Sequence, residues 1–186
     1  MSDVKSIYEE LFERYPVLEM CRSEIWEAYE ILKESYQNEG KLLVAGNGGS
    51  ASDSEHIVGE LMKGFVKSRK LSSDFATKLK AVDEQMGAEL AEKLQGAMPA
   101  IALVDHVALS TAYLNDVDPL LGFAQQINGY GKDGDAFLGI STSGNSKNVL
   151  YACTIAKAKG MKVIALTGKN GGKLKDMSDV EIIVPE

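Results

Sequence analysis

The chain of 186 residues contains only two cysteines, Cys21 and Cys153, far apart and both within helical patterns. That scarcity excludes a disulfide scaffold and a zinc knuckle, and both side chains are expected as buried free thiols. Long hydrophobic runs are missing as well: no window approaches the roughly 20 apolar residues that span a bilayer. The N-terminus, MSDVKSIYEE, has no apolar core of a secretory signal, so the chain reads as cytoplasmic with no membrane partner. Positive charge is in deficit. The net charge is −7, and residues 1–40 alone carry ten acidic and four basic side chains. Without a basic stripe there is no electrostatic footprint for nucleic acid. Internal repeats and low-complexity linkers are absent too. With 45% hydrophobic and 25% charged residues, residues 1–186 read as one domain with a core of its own.

What is present is a regular alternation. Val4, Ile7, Tyr8, Leu11, Phe12 and Tyr15 recur at helical spacing before Pro16, and Ile25, Tyr29, Leu32 and Tyr36 do so before Gly40, so two amphipathic helices occupy residues 1–40. Five short apolar runs follow, at Leu42 to Ala45, Ala100 to Val104, Ala136 to Ile140, Lys162 to Leu166 and Val180 to Val184. Most are continuous rather than alternating, as in strands buried on both faces of a parallel sheet. Helical patterns at about Ala51 to Val66, Val107 to Leu114, Pro119 to Tyr130 and Ser146 to Lys159 separate them. The expected fold is α/β: a three-layer, doubly wound sandwich around a five-stranded parallel sheet, preceded by the two helices. Residues 67–98 stand apart, with six basic and five acidic side chains. Leu79, Val82, Met86, Leu90 and Leu94 have helical spacing there, which predicts an inserted, exposed or lid-forming helix.

Two polar turns fall at the strand ends where such sheets bind ligands. After the third run come Ser141-Thr142-Ser143-Gly144-Asn145-Ser146, directly before a helix. Hydroxyls, free backbone N–H groups and the helix dipole converge there, which suits a phosphate; otherwise the segment is a plain loop with Ser146 as N-cap. After the first run come Gly46-Asn47-Gly48-Gly49-Ser50, where glycines let the backbone approach a ligand and Asn47 and Ser50 add polar contacts. On the next helix His56 and Glu60 stand one turn apart, able to bind a divalent metal together or to supply a general base, or else forming a surface ion pair. Asn115 and Asp116 either grip substrate hydroxyls or cap a turn before Asp118-Pro119. His106 is expected to be structural, Tyr113 and Tyr130 to serve packing, and Thr167-Gly168-Lys169 to add a polar contact or close a turn.

Taken together, AGNGGSASDSEHIVGE, LND at 114–116, LGISTSGNSKNV and GMKVIALTGKNGGKL resemble the sugar isomerase (SIS) domain family, and within it the phosphoheptose isomerases, over most of residues 41–186. The resemblance implies a nucleotide-binding-like sandwich assembled as a homotetramer, with active sites at subunit interfaces. It puts the phosphate loop on Ser141, Thr142, Ser143 and Ser146. Substrate contacts fall on Asn47, Gly48, Gly49, Asn115 and Asp116, beside Ser50. A zinc site falls on His56 and Glu60, with Glu60 also the catalytic base. The implied activity converts sedoheptulose 7-phosphate to D-glycero-D-manno-heptose 7-phosphate through an enediol. Family members continue into a C-terminal helix whose glutamine and histidine complete the metal and acid/base site. This sequence ends at Pro185-Glu186, so that second group is expected to be missing from it. The 67–98 segment is longer than in the typical member and is expected to bear on substrate choice or assembly. The alternatives are a non-catalytic module of the same fold that binds a sugar phosphate or a protein partner, and a purely structural oligomerisation protein.

Overall fold

A computed structural model describes residues 4–185; the expectations touching Met1 to Asp3 and Glu186 lie outside the described residues. The five apolar runs form strands β1 (Leu42–Ala45), β2 (Ala100–Ala102), β3 (Ala136–Ser141), β4 (Lys162–Thr167) and β5 (Val180–Ile183). All pair in parallel, in the order β2-β1-β3-β4-β5. Alternation along β1 explains the layers. Leu43 and Ala45 point into one core with Phe137, Ile127 and Val149. Leu42 and Val44 point into the other, beneath Ile31, Leu32, Ile57 and Leu61. Each residue of β1 is thereby buried on one face or the other, which is why the run reads as unbroken apolar sequence.

Helices α1 (Val4–Arg14) and α2 (Arg22–Gln37) lead the chain, joined by a 3₁₀ turn over Pro16–Cys21. Proline at its start fixes φ without wasting a hydrogen bond. α2 and α3 (Gly49–Met62) cover one face of the sheet; α7 (Gly122–Tyr130), α8 (Lys147–Ala158) and the short α9 (Gly172–Met177) cover the other. α6 (Val107–Asp116) precedes α7. At the amino ends of β1 and β3, the buried carboxylate of Asp135 accepts hydrogen bonds from Lys41 N, Lys132 N and Lys41 Nζ at 3.0, 2.8 and 2.5 Å. Both cysteines are buried thiols, and burial pushes Cys153 up to about 11, which leaves it protonated and inert at neutral pH.

The 67–98 segment corrects the sequence-based expectation. It is two helices rather than one, α4 (Ser73–Val82) and α5 (Glu84–Lys93), broken at Asp83. Asp83 is extended and caps α5 by accepting from Met86 N at 2.7 Å, which ends the first helix by starting the second. Gly87 sits so close to α4 that a Cβ would meet Leu79 O at 2.3 Å. At the base of this hairpin Gly96 N donates to Arg69 O at 2.7 Å, and Lys70 bridges Gln95 in antiparallel fashion. Val82 and Met86 remain 89% and 60% exposed, so their helical spacing reflects a surface stripe and not a buried face.

Candidate active site

The strand order reverses between β1 and β3: the chain leaves β1 toward β2 and returns past it to β3. Ligands bind in the crevice at the carboxyl ends of such a switch point, and both polar turns lie there. The first is held open by glycine. Gly48 adopts φ 60°, ψ −121°, a region that side chains avoid. Gly46 packs so tightly on the start of α3 that a Cβ would lie 2.6 Å from Ser50 O.

The second turn is braced from behind. Ser141 and Ser146 share a hydroxyl–hydroxyl hydrogen bond of 2.9 Å. Asn145 folds back on Ser143, its Nδ2 donating to Ser143 O at 2.7 Å and its backbone N to Ser143 Oγ at 3.2 Å. Gly144 has φ 64° and its carbonyl accepts Leu174 N at 2.9 Å, while Thr142 O accepts Gly168 N at 3.1 Å. The loops after β3 and β4 thus form one unit. Ser146 precedes α8 but makes no side-chain cap, so its hydroxyl is held by Ser141 and stands before an uncapped helix N-terminus. Thr142 and Ser143 are exposed.

Two hollows flank these turns. One of about 290 Å³ is lined by Asn47, Gly48, Ser110, Leu114 and Asn148. The other, of about 300 Å³, is lined by Ser50, Asp53, Thr142 and Thr167. The glycine turn and the serine loop are therefore brought to one sheet edge. Asn115 and Asp116 end α6 in the same turn as Leu114; both are exposed, and Asn115 Nδ2 donates to Asp116 Oδ1 at 2.7 Å.

His56 and Glu60 meet on α3, Nε2 to Oε1 3.6 Å, with side chains 78% and 48% exposed. Neither lines the two hollows. Tetrahedral zinc takes four ligands, and among the described residues no third His, Cys, Asp or Glu joins this pair. Two donors do not make a zinc site by themselves.

His106 caps α6, its Nδ1 accepting Leu109 N at 3.4 Å, which is the structural role expected of it. Tyr113 is partly buried and Tyr130 exposed. Sequence reasoning passed over Asn148 and Asp53, although both stand inside quoted motifs, LGISTSGNSKNV and AGNGGSASDSEHIVGE, and over Ser110, which carries no local signal. It also missed Glu55, whose carboxyl is raised above its ordinary range by a hydrogen bond with Asp105.

Comparison with known proteins follows the same lines. The SIS domain family model matches residues 86–168. The chain is 38% identical over 178 residues to the phosphoheptose isomerase of a Nitratiruptor species, covering 96% of this chain and 80% of that protein. It is 37% identical over 168 residues to that of Helicobacter pylori, covering 90% and 74%. Among solved structures it is similar to a phosphoheptose isomerase from Francisella tularensis, with TM-score 0.72 and 30% identity over 100% of this chain and 87% of that one. One from Neisseria gonorrhoeae gives TM-score 0.71 and 30% identity over 98% and 85%.

Proposed function

Since this chain belongs to the phosphoheptose isomerase family, we infer that it isomerises a ketose phosphate to an aldose phosphate, sedoheptulose 7-phosphate to D-glycero-D-manno-heptose 7-phosphate. The observation that carries the inference is the meeting, at the switch point between β1 and β3, of a glycine turn open to a ligand and a braced loop of hydroxyls before an uncapped helix N-terminus.

In this reading Ser141, Thr142, Ser143 and Ser146 hold the terminal phosphate. The bracing by Asn145 and Gly144 fixes the donors before the ligand arrives, which lowers the ordering cost of binding. Asn47, Gly48, Gly49 and Ser50 flank the sugar chain, and Asn115 and Asp116 contact its hydroxyls. Glu60 takes the proton from one carbon and returns it to the neighbouring carbon across the enediol. Binding energy from the phosphate, remote from the reacting carbons, orients them for that transfer. A second acid/base group moves the protons on the oxygens.

Zinc fits His56 and Glu60 only with further donors, because a tetrahedral site takes four. Bound there, it would polarise the substrate carbonyl. We propose a homotetramer, supported by an apolar groove of about 400 Å³ between α1 and α2, lined by Val4, Ile7, Leu11, Ile25, Trp26 and Tyr29. Sedimentation is expected to report four chains of 20.1 kDa, and a monomer would remove this part of the reading. No helix among the described residues is long and apolar enough to cross a membrane, and we place the reaction in the cytoplasm.

The phosphate assignment is tested by replacing Ser141 and Ser146 together with alanine. KM for sedoheptulose 7-phosphate is expected to rise at least about tenfold, at roughly 1 kcal/mol for each hydrogen bond lost, with kcat little changed. An unaltered KM would remove both serines from the phosphate site. Wild-type binding of the sugar phosphate without turnover would favour the non-catalytic module instead.

A further inference from the structure

The side chains of Asn47 and Asn148 hold each other face to face. Asn47 Nδ2 donates to Asn148 Oδ1 at 3.0 Å, and Asn148 Nδ2 donates back to Asn47 Oδ1 at 2.8 Å. Asn148 Oδ1 also accepts the backbone N–H of Val149 at 3.0 Å. That third bond decides which end of the Asn148 amide is oxygen, and the exchange then decides the orientation of Asn47. A primary amide has two N–H donors. Each side chain gives one to the other and keeps one, and both line the hollow of about 290 Å³ beside Gly48 and Ser110.

Asn47 stands in a turn between Gly46 and Gly48, where the backbone is permissive on both sides. Asn148 stands in the first turn of α8, whose backbone is fixed and whose preceding loop carries the serines. The bond pair therefore fastens the glycine turn to α8.

We propose that Asn148 is a positioning residue of the isomerase: through this amide pair it holds Asn47 with an N–H facing the hollow, ready to donate to an oxygen of the sugar chain beyond the phosphate. The proposal rests on the isomerase reading above. Its chemistry selects an acceptor, a hydroxyl or carbonyl oxygen, and the preset orientation removes the rotamer freedom that Asn47 would otherwise lose on binding. The same contact joins the wall of the sugar hollow to the phosphate loop, so the two ends of the ligand meet a single body.

The test is a double-mutant cycle on the full chain with sedoheptulose 7-phosphate as substrate and inorganic phosphate as a separate probe of the serine loop. Asn148→Ala and Asn47→Ala are each expected to raise KM about tenfold, with kcat within about twofold and phosphate affinity within about twofold of wild type. The double variant is expected to be no worse than Asn47→Ala by more than about twofold, because the two residues act as one unit. An unchanged KM in Asn148→Ala, or losses that multiply in the double variant, would overturn the proposal. So would a fall in phosphate affinity that tracks the rise in KM, since that marks a disturbed α8 and not a misplaced amide. If the wild type turns over no sedoheptulose 7-phosphate, the isomerase reading itself fails and the role of Asn148 falls with it.

Discussion

Glu60→Gln is expected to lower kcat about a thousandfold while leaving affinity for sedoheptulose 7-phosphate within about threefold of wild type. Glutamine keeps the shape and hydrogen-bonding reach of glutamate but cannot accept a proton from carbon, and positioned general bases contribute on the order of 10² to 10⁴ in rate. The asymmetry between rate and affinity follows from the layout. Glu60 lies on α3 beside His56, whereas the hydroxyls proposed to hold the phosphate lie after β3, where Ser141 and Ser146 bond to each other and the backbone carbonyls of Thr142 and Gly144 accept from the segment after β4. Nothing in that bracing passes through Glu60. Single-turnover kinetics together with a thermal shift by the sugar phosphate separate the two quantities. Unchanged turnover would remove Glu60 as the base, and equal losses of rate and affinity would give it a binding role instead.

Gly144→Ala is expected to cost more than about 3 kcal/mol of stability, at the severe end of single substitutions, and to abolish phosphate binding. Two effects add. The residue sits at φ 64°, where a side chain costs about 1–2 kcal/mol. A Cβ there would also lie 1.7 Å from Gly171 O, an overlap with backbone that no side-chain rotation relieves. The loop would have to part from α9, losing the bond from Leu174 N to Gly144 O and the one from Lys173 N to Asn145 Oδ1. Urea denaturation and phosphate titration check both consequences. A variant with an unshifted midpoint would mean that the loops after β3 and β4 yield independently.

β1 and β3 are legible in the sequence because burial on both faces leaves an unmistakable composition: all of β1 and nearly all of β3 are buried. The His56–Glu60 contact is legible for a more local reason. A spacing of four on a helix dictates the approach whatever the rest of the fold does. Residues 67–98 read as one helix because Leu79, Val82, Met86 and Leu90 keep helical spacing straight through the break at Asp83. Only the capping aspartate signals that break, and periodicity alone does not register it. α9 escapes detection because six residues starting with glycine produce too little periodicity, yet it supplies the rear brace of the serine loop. Ser146 is legible as the residue that precedes α8, but its hydroxyl bonds to Ser141 and not to the helix. Asn148 stands inside the serine-loop motif, but nothing there signals its contact with Asn47, since that partner is 101 positions away and only the pairing of β1 with β3 brings them together.

That same pairing also determines when the site can come into being. Leu42 aligns with Ala136, so the two halves of the ligand crevice close a loop of about half the chain, and contacts of such sequence separation form slowly. The hairpin of α4 and α5 adds residues to that loop without adding proportionate delay. Its ends are tied at Arg69 and Gly96, and closing a longer loop costs only about 0.6 kcal/mol per doubling of length. To the central strands the excursion counts as a short detour, so the chain carries an extra helical pair at small cost to the assembly of its crevice.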